Sequence, residues 1–167
     1  MSENLKHAAD LSGRWGLDLA ATLQLNNTES AATSWLEPQS LDVLLAGAFH
    51  VGHVAAGADA FLIAFDEGAD YDSPNYRWFC AQLPRFVYVD RIVVNAACRG
   101  QGLARRLYAE LAAVARKAGH TELVCEVNLD PPNPVSDAFH AALGFRELGR
   151  GSPYAGKVVR YLACGLT

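Results

Sequence analysis

What this sequence of 167 residues lacks narrows it first. It has no C-x-x-C pair: Cys80, Cys98, Cys125 and Cys164 are scattered, which argues against a zinc ribbon or a thioredoxin-like motif. With 51% of residues apolar, a sizeable core forms without cross-links, so reduced thiols in a cytoplasmic protein are expected. No run suits a membrane. Residues 43–58 come nearest, but His50 and His53 interrupt them, and they fall short of the roughly 20 apolar residues of a spanning helix. No secretory pattern opens the chain, because residues 1–18 mix charges with short apolar pieces. The net charge of −4 carries no general nucleic-acid signal. Repeats, low-complexity tracts and Pro/Gly linkers are missing too, so a single domain is expected.

Local charge says more than the total. Arg99, Arg105, Arg106, Arg116 and Lys117 lie close in sequence, opposed only by Glu110, while Asp66, Glu67, Asp70 and Asp72 form an acidic stretch. An anionic cofactor and a cationic substrate would match these two regions. Two solvated faces would produce the same composition.

Periodicity orders the elements. Residues 22–25 read as a short strand, and residues 38–48 as a helix with Leu41, Leu44, Leu45 and Ala48 at helical spacing. Residues 51–56 and 60–65 read as strands joined by a turn at 57–59. Residues 66–84 are long, acidic and aromatic, with Pro74 as a breaker, and read as a functional loop or lid. A strand follows at 86–94. The clearest helix covers 102–118, with Leu103, Leu107, Leu111 and Val114 on one face. A strand at 122–127 precedes a helix at 134–143, for which Asn133 is the expected N-cap and Pro134 the first residue. Strands near 145–148 and 157–163 complete a mixed α/β sheet with helices on its faces. His50 and His53, three apart on a strand, face opposite sides and make a poor chelate, so no metal site is expected. His7 and His120 read as surface residues.

The informative feature is the junction of strand 86–94 and helix 102–118. Gly100 and Gly102 let backbone amides approach a ligand with no Cβ between. The unsatisfied N–H groups of the helix's first turn and the helix dipole attract an anion, and Arg99, Arg105 and Arg106 add charge. A pyrophosphate is the natural occupant. A P-loop is excluded, because Gly102-Leu103-Ala104 stands where Gly-Lys-Ser/Thr is required. A dinucleotide fingerprint fits weakly: Arg105 replaces its third glycine, although Glu122 falls near the expected acidic position.

The pattern Q/R-x-x-G-x-G/A, matched by Arg99, Gly102 and Ala104, resembles that of the GNAT superfamily of N-acetyltransferases. A second pattern of that superfamily, N-x-x-A-x-x-F-Y-x-x-x-G-F, is matched by Asn133, Ser136, Phe139, His140, Gly144 and Phe145, with serine for alanine and histidine for tyrosine. The resemblance covers residues 86–163 well and the N-terminal half in outline. It implies an α/β (α+β) fold: a mixed, mostly antiparallel sheet with a central splayed parallel pair and helices on both faces. Residues 19–167 would form that domain and residues 1–18 an N-terminal extension.

The resemblance also implies acetyl-CoA as the cofactor. The backbone of Ile92, Val93 and Val94 would pair with the pantetheine arm. Arg99, Gly100, Gln101, Gly102, Leu103, Ala104 and Arg105 would hold the pyrophosphate, and Asn133, Ser136 and Phe139 would complete the cofactor site. An amine attacks the thioester directly, so it must lose a proton, and the departing thiolate gains from receiving one. His140, in place of the family's tyrosine, is the expected donor; a plain helix residue is the alternative. Period two puts Tyr88, Asp90 and Ile92 on one strand face. Because the family commonly carries an acid at Tyr88's or Asp90's place, the resemblance implies Asp90 as the first candidate base, with a salt bridge to an arginine as its alternative and Glu126 as the second candidate. Asn26, Asn27, Glu29, Tyr76 and Trp78 stand where the family places acceptor contacts, and they suit a small or peptide amine. Homodimers are common in the superfamily, and no residue here speaks to one. A non-catalytic acyl-CoA-binding module is the competing expectation, separated from the enzyme by turnover with any amine.

Overall fold

Caps and buried stripes decide where the helices lie. The computed structural model describes residues 10–30 and 33–166; His7 and half of the expected N-terminal extension lie outside them. Residues 10–15 are helical, Leu11 and Leu17 are buried in the core, and the Trp15 indole donates to the Leu45 carbonyl at 3.0 Å. Asp18 then caps α1 (Leu19–Thr28), accepting the Ala21 N–H. The strand expected at 22–25 is therefore helix. Thr-Leu-Gln-Leu alternates over four residues only, whereas Thr22, Leu25 and Asn26 are buried together at the three- and four-residue spacing of a helix face.

Helix α2 (Pro38–Gly47) starts on its proline and buries Leu41, Leu44 and Leu45. Strands β1 (His50–Val54) and β2 (Ala60–Asp66) pair antiparallel across a tight turn at Ala55–Gly57. Gly57 has φ +94°, and a Cβ there would lie 2.1 Å from Thr22 Oγ1, so α1 sits on this turn only because the side chain is missing. The segment expected as a loop or lid contains α3 (Pro74–Gln82). Pro74 opens this helix rather than breaking it. Ser73 caps it by accepting the Tyr76 N–H, and Tyr76 and Phe79 enter the core.

The remaining elements follow the expected order: β3 (Val87–Val94), α4 (Leu103–Lys117), β4 (Glu122–Asp130), α5 (Pro134–Ala142), β5 (Arg146–Tyr154) and β6 (Lys157–Gly165). Strands β4 and β5 run past residues 127 and 148 because each pairs along β6. The sheet order is β1-β2-β3-β4-β6-β5, antiparallel throughout except β3–β4. Helices α1, α2 and α3 cover one face, and α4 and α5 the other. This is the mixed, mostly antiparallel sheet with a central parallel pair that the resemblance implied.

His50 bonds to Glu110 of α4 at 3.1 Å and His53 to the Trp15 carbonyl at 3.0 Å, on opposite faces as their spacing requires. His120, expected at the surface, is buried at 7% exposure and sits 3.0 Å from Glu67; the end of α4 and the edge of Phe49 enclose it. No helix among the described residues is long and apolar enough to cross a membrane.

Candidate active site

Two parallel strands that separate leave backbone groups without a ladder partner. β3 pairs with β4 only at Val87–Leu123 and Tyr88–Val124; beyond Tyr88 the strands part. Ile92, Val93 and Val94 still pair with β2 on one side, so the edge that would meet β4 is free to bond an extended ligand. A cleft of about 970 Å³ opens along this edge and runs to the loop before α4.

That loop has the geometry of an anion site. Gly100 and Gly102 both take positive φ, +77° and +76°, and a Cβ on either would meet nothing within 4 Å. Gly102 is the N-cap of α4 and supplies no side chain to the first-turn N–H groups, which remain available to a phosphate. Gly100, Gly102, Leu103, Ala104 and Arg105 line the cleft. Gln101 lies in the same turn and is exposed. Arg99 also lines it, ion-paired with Glu29. Asn133 caps α5 by accepting the Ser136 N–H at 3.1 Å, and Ser136 and Phe139 face the cleft from that helix. These residues fit a pyrophosphate and an extended arm, two parts of coenzyme A.

A β-bulge corrects the strand-face expectation. Ile63 pairs with Arg91 but Ala64 with Val89, leaving Asp90 as the extra residue. The side-chain phase flips there. Tyr88 joins the core under α1–α3, while Ile92 joins the core under α4, so Tyr88, Asp90 and Ile92 do not share a face. Asp90 is held on both oxygens, by the Tyr71 hydroxyl and by Arg91 Nε at 2.8 Å. Arg91 in turn donates to Asn26 at 2.9 Å. The Asp90 and Arg91 side chains are only 6% and 7% exposed. Removing one partner of a buried pair strands the other charge, at a cost of about 3–5 kcal/mol. Asp90→Asn is therefore expected to lose stability of that size in urea unfolding. A loss under about 1 kcal/mol would return Asp90 to the list of free carboxylates.

Glu126 is placed differently. Its Oε1 accepts from Asn75 of α3 at 3.0 Å and from Tyr88 at 3.2 Å, and Asn75 is fixed by the Tyr161 hydroxyl at 3.1 Å. Its Oε2 is shielded and has no hydrogen-bond partner among the described residues. Burial, and then the charge of Asp90, push the carboxyl up to about 7. Glu126 thus lines the cleft as a carboxylate ready to exchange a proton near neutral pH.

On the other face of the sheet lies His140, 4% exposed. Its Nδ1 is 2.8 Å from the Ser136 carbonyl and its Nε2 is 2.7 Å from the Tyr108 hydroxyl. Burial lowers its pKa, opposed by the Ser136 carbonyl and Asp137. Other expected contacts fall elsewhere. Asn26 is fully buried, and Asn27 clasps Leu36 through both backbone groups. Tyr76 is buried and donates to Asp66 and Ala69 carbonyls, while Trp78 stacks on Tyr161 at 4.0 Å. Of the expected acceptor residues, Glu29 and Glu126 line the cleft. Sequence reasoning missed Asn75 and Tyr108. Asn75 lay in a presumed loop and gave no signal. Tyr108 gave a faint one, since a tyrosine next to a buried helix stripe needs a hydroxyl partner.

Known proteins share this fold. The family model for the acetyltransferase (GNAT) family matches residues 29–145. The chain is 34% identical over 108 residues to aminoglycoside N(6')-acetyltransferase type 1 of Serratia marcescens, covering 64% of this chain and 70% of that one. The fold resembles the ribosomal-protein-S18-alanine N-acetyltransferase of Escherichia coli, at TM-score 0.66 and 18% identity over 90% of this chain and 88% of that one. It also resembles YncA of Salmonella typhimurium, solved with its cofactor acetyl-CoA, at TM-score 0.63 and 18% identity over 90% and 89%. With the splayed strand pair, the glycine loop at the start of α4 and a family match over most of its length, the chain belongs to the GNAT family and is an acetyl-CoA-dependent N-acetyltransferase.

Proposed function

We propose that the enzyme acetylates a primary amine of a small molecule or peptide by direct attack, with Glu126 as the base. One observation carries this reading: Glu126 is the cleft carboxylate with a shielded oxygen free of partners and a pKa near neutrality. Bound acetyl-CoA supplies an activated acetyl thioester. The α4 N-terminus and Arg105 would hold its phosphates, and the open edge of β3 would align its arm. Glu126, on the face covered by α3, accepts the proton that the ammonium must lose before attack, directly or through one water. Asn75 and Tyr88 keep the carboxylate in place. Tyr71, Ser73 and Tyr154 line the same end of the cleft and offer hydroxyls to a polar acceptor.

The likeness to an aminoglycoside acetyltransferase favours a polyamino small molecule as acceptor. The decisive assay is coenzyme A release across a panel of aminoglycosides, polyamines, amino acids and peptide N-termini. Turnover with a peptide and none with small amines would reverse the preference. Turnover with no amine would sink the reading. Binding has its own test. At about 100 times its dissociation constant, acetyl-CoA should stabilise the fold by about 2.7 kcal/mol, raising Tm by roughly 5–10 °C for a chain of this size. An unchanged Tm would remove the cofactor assignment.

A further inference from the structure

Both nitrogens of His140 are committed. The Ser136 carbonyl can only accept, so Nδ1, 2.8 Å away, carries the ring hydrogen. In the neutral ring Nε2 then has only a lone pair, and the Tyr108 hydroxyl donates to it at 2.7 Å. Phe139 and Phe145 box the ring edge-on, with centroids at 5.2 and 5.1 Å. His140 therefore has no N–H to turn toward the cleft. Tyr108 is buried, lines the cleft, and stands on the face where Cys125 of β4 looks toward α4.

We propose that Tyr108, rather than His140, meets the departing sulfur of the cofactor and passes it a proton, while His140 stands behind it as the proton reserve. This rests on the acetyl-transfer reading above. When a proton enters the ring from solvent, it sits on Nε2, which then donates to the Tyr108 oxygen. The phenol hydrogen is freed to face the cleft. Tyr108 gives that hydrogen to the sulfur as the C–S bond breaks, and takes the Nε2 hydrogen from the ring. An S–H and a new O–H form, the old O–H and N–H break, and the imidazolium and thiolate charges cancel. Asp137 on α5 favours the charged ring, Cys125 of β4 faces Tyr108, and the Glu126 charge acts on Tyr108 from the opposite face of the sheet.

Tyr108→Phe keeps the ring and the packing, so it tests the hydroxyl alone. Single-turnover acetylation of one amine should slow by about 10²-fold or more. His140→Ala should slow it comparably, and the double variant should be no slower than the slower single one, because both act on one proton path. Calorimetry supplies a readout that needs no acceptor. The wild type should bind coenzyme A roughly 3–10-fold more tightly than desulfo-coenzyme A through a hydroxyl–sulfur hydrogen bond, and Tyr108→Phe should erase the difference. Wild-type turnover by Tyr108→Phe, multiplicative losses in the double variant, or an unchanged preference for coenzyme A would each overturn the assignment. The calorimetric result stands even if no amine is acetylated, so failure here and failure of the acetyl-transfer reading are distinguishable.

Discussion

Glu126→Gln should lower turnover about 10²–10⁴-fold while acetyl-CoA binds as before, since general base contributions have that size and Glu126 lies on the acceptor side. Glutamine keeps the shape and can still accept from Asn75 and Tyr88, but it takes no proton. The pH dependence follows from the raised carboxyl. Only the carboxylate serves as base, so wild-type turnover should rise with pH through about 7, and this limb should vanish in the variant. The amine's own ionisation shapes the same limb, so both proteins are compared with one acceptor. Stability should move the opposite way. The folded state holds the Glu126 proton up to about 7, whereas the ordinary value is 4.5. Its contribution is full below about 4.5 and is lost as pH rises through about 7. The loss is on the order of 3 kcal/mol at most. Glu126→Gln should therefore be the more stable protein at pH 8, with equal stabilities near pH 4. Urea unfolding at the two values measures this. A variant that keeps full turnover would move the base elsewhere, and one that loses turnover by unfolding would fail the stability comparison.

Gly102→Val should abolish measurable acetyl-CoA binding with the fold retained. Gly102 sits at φ +76° as the N-cap of α4, and open space surrounds its missing Cβ. A Cβ there meets no neighbour within 4 Å and the site lies outside the core, but a β-branched residue in the left-handed region is strained by about 1–3 kcal/mol. The backbone relieves that strain by turning the first-turn N–H groups away from the phosphates. Hydrogen bonds to a charged group contribute roughly 1.5–3 kcal/mol each, so losing two costs at least about 10²-fold in affinity. Calorimetry on the folded variant decides the matter. Unchanged affinity would place the pyrophosphate away from this loop.

The loop and helix starts of the candidate cofactor site were legible because they are made of backbone. Gly100 and Gly102 at the mouth of a strongly patterned helix, and Asn133-Pro134 before the next, announce exposed N–H groups through local sequence. Local spacing is all that such groups require. The chemistry of the acceptor half was not legible, because side chains from distant elements create it. A four-residue alternation at 22–25 looked like a strand until the Asp18 cap and the burial of Thr22, Leu25 and Asn26 made it helix. Pro74 looked like a breaker and turned out to open the helix that delivers Asn75.

One bulge at Asp90 reversed the side-chain phase of β3 and set the Asp90 carboxylate between Tyr71 and Arg91 at the cleft. Periodicity cannot foresee such an insertion, since the extra residue shows only against a paired strand. The residue class of Glu126 and His140 was fixed by the chain. Whether each carries a proton was decided by what the fold packs around it: burial and then Asp90 raise one, and the Ser136 carbonyl and Tyr108 hydroxyl close both nitrogens of the other. Solvation and charge at short range set proton affinity, and only the tertiary structure brings residues 75, 88, 108, 126 and 140 to one cleft.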